Sequence, residues 1–235
     1  MIAYHGDASL KTLTMDTVRA HREADRLIAG LGAVGEGADF RGCAVGCTVG
    51  TYDHSLYPTI LGVPEEIAHL EDAIFEGLAK AGDGRHLEWP EEFLDAIPVG
   101  ADLSMVWPRF ALALLSDPES LVVKNAGSVR AAVDGVAALY REWVETGVSP
   151  ALERWDGAAR AARVARAARA AWPAWAVGAA GAAGNARVAR AARAARAAGD
   201  AWAAGAAWVA WDAWSVWMRD LLLRLLRDAP MAVTS

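Results

Sequence analysis

Apolar residues recur at helical spacing in several stretches of the chain, and period-two alternation is scarce. Residues 64–79 carry the clearest pattern: Ile67, Leu70, Ile74 and Leu78 fall at i, i+3, i+7 and i+11, one stripe along a helix. Pro64 suits the first helical position, Glu65 and Glu66 suit the positive end of the dipole, and Gly82 supplies a stop. Residues 128–145 repeat the scheme with Val129, Val133, Val136, Tyr140, Trp143 and Val144 on the inward face and Gly147 as the stop. Ser149 and Pro150 then read as N-cap and first residue of the next helix. A helix is also expected over 14–31, with Thr14 as N-cap, Asp16 in the first turn, and Ala24, Leu27, Ile28 and Leu31 on its apolar face. A short helix at 90–96 and a buried segment at 105–115 follow, with Pro108 starting or kinking the latter. Residues 44–52 and 120–124 are the only strand candidates. The pattern predicts a mainly α protein: a helical N-terminal domain followed by an Ala-rich helical extension.

The extension has a period of its own. From Arg154 to Trp217 nearly every third residue is Arg, Gly or Trp, with alanine filling most of the remaining positions. At about 100° per residue, each step of three falls back about 60° around a helix, so Arg160 to Arg169 spread over half the circumference. They make no single basic face. Alanine and arginine are strong helix formers, and helices are expected at about 150–172, 186–198 and 201–227. Gly-rich 176–184 and Gly199-Asp200 separate them, with Asn185 and Asp200 as caps. Val216, Leu221, Leu222, Leu225 and Leu226 can pack on one side of the last helix. Trp202, Trp208, Trp211, Trp214 and Trp217 give this region a wide apolar surface, which either docks on the N-terminal body or pairs with another copy of the chain.

Charge divides the chain in the same place. Residues 1–150 hold 11 Lys/Arg against 23 Asp/Glu, whereas residues 151–235 hold 12 arginines against 6 acids. We therefore read an acidic helical domain over 1–148 and a basic Ala/Arg/Trp extension over 149–235. Such asymmetry fits either an acidic partner or pairing of the extension with its own acidic body. Arginine interleaved with tryptophan also suits phosphate contact plus base stacking, so nucleic acid is a further candidate partner. No stretch of about 18 strongly apolar residues predicts a membrane span. The N-terminus lacks the basic start and apolar core of a signal peptide, and two close cysteines are no disulfide framework. A reducing cytoplasm is the expected location.

Candidate chemistry concentrates in 41–54, RGCAVGCTVGTYDH. As a continuous helix, Gly42, Gly46 and Gly50 form a small-residue face for close packing, with Cys43 and Cys47 as small buried hydrophobes. As a metal site, Cys43, Cys47 and His54 would bind zinc with His21 as fourth ligand, its ring oriented by Asp25. In a continuous helix Cys43 and His54 lie about 16 Å apart at ~1.5 Å per residue, so this reading needs a break at Gly50. As a nucleophile site, Cys47 or Cys43 would attack, with His54 or His21 as base and Asp53 or Asp25 as orienter. The alternatives for cofactor are thus none or zinc. His5, His69 and His86 read as surface residues. No phosphate loop, Ser-His-Asp motif or HExxH occurs.

The segments YHGD (4–7), AHREAD (20–25), GCAVGCT (42–48), DHSLYPTILGVP (53–64), LEDAIFEGL (70–78) and IPVGADLSMVWPRF (97–110) resemble a bacterial and phage-associated family without an established activity. Its members end in an Ala-rich tail with a Leu-rich closing helix, similar to LLLRLLRDAP here. The resemblance implies a style of appendage and no mechanism. The leading functional expectation is a non-enzymatic binding or assembly protein that uses the extension as its surface. The alternatives are the metal or thiol site and nucleic-acid binding.

Overall fold

The structure, a computed structural model, describes residues 1–127, 130–167 and 207–233. It is mainly helical. The helices are α1 (Ala8–Glu23), α2 (Ala44–Val49), α3 (Tyr57–Leu61), α4 (Glu65–Ala79), α5 (Trp89–Ala96), α6 (Val106–Ser116), α7 (Leu121–Lys124), α8 (Arg130–Thr146), α9 (Leu152–Ala167) and α10 (Ala207–Arg227). Two dipeptide strands, β1 (Ala33–Val34) and β2 (Arg41–Gly42), pair antiparallel with Ala33 opposite Gly42. Both expected strands are helices instead. Residues 44–49 form α2, and 121–124 form α7 with Ser120 as its N-cap, the Ser120 hydroxyl accepting from Val122 N. Their β-branched residues follow burial rather than propensity.

The chain forms two compact units, Met1–Val106 with Val209–Ser235, and Trp107–Trp208. The composition boundary at 148 divides the chain elsewhere.

In the first unit, α1 packs on α5 and α2, and α4 on α2, α3 and α5. Helix α1 starts earlier than its apolar spacing suggests. Asp7 is the N-cap, its carboxylate accepting from Ser9 N at 2.8 Å. Thr14 is mid-helix and buried, with its hydroxyl bonded to Leu10 O. The helix stops at Glu23 because Asp25 turns into the left-handed region, φ +54°. Leu27 and Ile28 then run extended beside β2, with Ile28 N donating to Gly42 O and Gly42 N to Arg26 O. Helix α4 carries the expected stripe of Ile67, Leu70, Ile74 and Leu78, all buried; Pro64 is its N-cap.

Helix α10 belongs to this unit. Trp214, Met218, Leu221, Leu222 and Leu226 are buried at i, i+4, i+7, i+8 and i+12, one continuous stripe. Arg219 forms two hydrogen bonds to Glu92 on α5, 2.8 and 2.7 Å. Past the helix, Asp102 N donates to Pro230 O and Ala232 N to Gly100 O. On its other side the same 100–103 segment holds the N-terminus, with Ala3 N bonded to Ala101 O and Gly100 N to Ala3 O. Trp214 is therefore taken up by the fold, and Trp217, stacked on it at 4.8 Å, is half-buried. Trp202, the side chains of Trp208 and Trp211, and the expected helix at 186–198 lie outside the described residues.

In the second unit α8 packs on α9. Val133, Val136 and Tyr140 are buried as the spacing predicts, Trp143 and Val144 half-buried; Val129 lies outside the described residues. Tyr140 meets Trp155 edge-on at 4.8 Å and Trp143 face-on at 6.1 Å. Helix α9 begins at Leu152, past Pro150, whose carbonyl accepts from the Trp155 indole.

Candidate functional site

Gly50 decides the fate of RGCAVGCTVGTYDH. It ends α2 in the left-handed conformation, φ +77°, and the continuous helix of the packing reading does not form. The close approach that glycine permits is instead made by a loop: a Cβ on Gly46 would sit 2.7 Å from Gly32 O. After Gly50 the chain turns, Asp53 caps the next turn by accepting from Ser55 N and Oγ, and His54 is carried inward.

The break that the metal reading required is present, yet the four candidate ligands do not converge. The His21 Nδ1 atom lies 3.2 Å from the Cys47 main-chain oxygen, not from its sulfur. The Cys47 thiol donates to Gly42 O and Arg26 O. Cys43 lies against Asp72. His54 faces α4, with Nε2 3.4 Å from Asp72 Oδ2. Among the described residues no group of three or more His, Cys, Asp or Glu side chains is placed to hold a metal ion.

The nucleophile set fares no better. Both cysteines are fully buried. Burial and then the Asp72 carboxylate raise the Cys43 pKa, and burial pushes Cys47 up to about 12, so both remain thiols. Asp53 serves its cap, and Asp25 is in an exposed turn.

What the turn at Gly50 builds is a buried polar cluster on α4. The His54 ring stacks on His69, centroids 4.0 Å apart and planes 18° from parallel, and Tyr52 meets it edge-on. His69 Nε2 lies 3.5 Å from Glu65 Oε1, and its side chain is 13% exposed, so it is no surface residue. His86 is half-buried against Phe75, and His5 is exposed with Nε2 at Thr59 O. The Tyr52 hydroxyl donates to Asp72 Oδ2 at 3.0 Å. One residue earlier, Glu71 is fully buried and accepts from the Tyr57 hydroxyl, while its main-chain oxygen accepts from the Trp89 indole. Burial and then Asp72 push the Glu71 pKa up to about 8, despite the opposing Tyr57 bond. Tyr57 is itself raised, by burial and then by Glu71.

Two stacked imidazoles keep their in-plane lone pairs parallel and so cannot share an ion, but each has a carboxylate beside it. Glu71 and Asp72 belong to no motif in the sequence. The signal was there: Glu71 is four residues after Ile67, on the buried stripe, where a carboxyl is exceptional.

Comparison with protein-family models, curated proteins and solved structures gives no match. Among the described residues no helix is long and apolar enough to cross a membrane.

Proposed function

We propose that the protein is a non-enzymatic binding or assembly module whose interaction surface is the Arg/Trp-rich stretch between α9 and α10. The observation that carries this reading is the return of α10 to the first unit. The chain leaves that unit after Val106 and re-enters at Val209, where buried leucines and the Arg219–Glu92 pair anchor it. The Arg/Trp-rich stretch, residues 168–206, joins α9 to that anchored helix. Its chemistry suits an acidic partner: residues 151–206 hold nine arginines against Glu153, Asp156 and Asp200.

The test is light scattering of the full chain over a wide concentration range, with and without heparin as a polyanion probe. Assembly or heparin binding that weakens when Arg187, Arg190, Arg193 and Arg196 become Gln supports the proposal. A monomer at every concentration with no heparin retention refutes it. Retention on duplex DNA that exceeds heparin binding and falls with salt would assign the surface to nucleic acid.

A further inference from the structure

We propose that the buried Tyr57–Glu71 pair is a proton-held latch between α3 and α4, released when Glu71 ionises. The argument starts from placement. Glu71 is 0% exposed, in the middle of α4. One carboxyl oxygen accepts from the Tyr57 hydroxyl; the other, Oε1, is buried with no hydrogen-bond partner. None of the ion pairs among the described residues includes Glu71.

The groups around it on every packed element are neutral or acidic. Tyr57 comes from α3, Cys47 from α2, Tyr4 from the N-terminal segment, Trp89 from α5, and Asp72 from α4 itself, with Cys43, the N-cap of α2, beside Tyr57 and Asp72. Burial raises the pKa values of Tyr4, Tyr57, Cys43 and Cys47 alike, so none of them supplies charge compensation. A carboxylate in this position keeps one neutral hydrogen bond and loses its water. Its closed state requires the proton.

The direction of the pH dependence follows. Burial puts Glu71 at about 8 in the closed form, against an ordinary 4.5 when water reaches it. Below pH 4.5 the group is neutral in both forms and the latch is fully held. Between 4.5 and about 8, opening releases a proton, so the open population grows about tenfold per pH unit. Above about 8 the slope ends. The release reaches the N-terminal segment, because Gly62 at the end of α3 lies directly against Ile2 O.

Hydrogen exchange of the full chain from pH 5.5 to 7.5, corrected for intrinsic rates, tests the latch. The reporters are the Gly62 and Val63 amides, which bond to Pro58 O and Tyr57 O. Their protection should fall about a hundredfold over two pH units, at about tenfold per unit. In Glu71→Gln, where the amide oxygen still accepts from Tyr57, the fall should vanish. In Tyr57→Phe the slope should persist at lower protection. The Gly147 amide of the second unit, bonded to Trp143 O, should stay level. A flat wild-type profile overturns the proposal, even without a folded Gln variant. So does an equal fall in Glu71→Gln, or an equal fall at Gly147.

Discussion

Replacing Gly62 by alanine tests how the N-terminal segment is seated. Gly62 has φ +63°, where an L-residue costs about 1–2 kcal/mol. Its environment adds a second cost, since the new Cβ would lie 2.0 Å from the Ile2 carbonyl oxygen and 3.3 Å from His5 N. No side chain can swing aside there; the backbone itself must move. Three main-chain bonds depend on that backbone: His5 N to Ile2 O, Ala3 N to Ala101 O, and Gly100 N to Ala3 O. At about 0.5–1.5 kcal/mol each, their loss brings the expected destabilisation to about 3–6 kcal/mol. Gly50 provides the control. It also has a positive φ, +77°, but nothing lies within 4 Å of its Cβ position, so Gly50→Ala should cost only the conformational part, about 1–2 kcal/mol. Urea unfolding followed by far-ultraviolet circular dichroism compares the two. Equal losses would refute the reasoning, because the gap between the variants measures the contact with Ile2.

Leu222 is fully buried on α10, and Leu222→Ala should cost about 3–5 kcal/mol in the same assay; a loss below about 1 kcal/mol would mean that α10 is not an anchor. Cys43 and Cys47 are buried with raised pKa values, so Ellman's reagent at pH 8 should find neither thiol in native protein and both in urea. Fast reaction of the native protein would contradict this geometry.

Much of the helical framework was legible in periodicity. The stripe from Ile67 to Leu78 located α4 to within a residue, and the Val133–Tyr140 face located α8. Helix α1 was misplaced because its apolar spacing continues to Leu31, whereas its limits are set by polar groups: the Asp7–Ser9 cap at one end and the left-handed Asp25 at the other. The stretch 41–54 was legible only as a choice between a straight helix and a break, and its conformation turns on one glycine. Where the chain goes after Gly50 depends on long-range packing against α4, which local pattern does not encode. Hence the spacing puts His54 beside the cysteines as a ligand, whereas packing stacks it on His69.

The discontinuous first unit has a consequence for synthesis. About a hundred residues separate Val106 from Val209, roughly 5–20 s of elongation at ~5–20 residues per second. Throughout that interval the nascent N-terminal helices lack α10, and their apolar seat for it is uncovered. A chain halted within the arginine triplets therefore leaves that apolar seat exposed to water. The first unit is therefore complete only once the tail has been made.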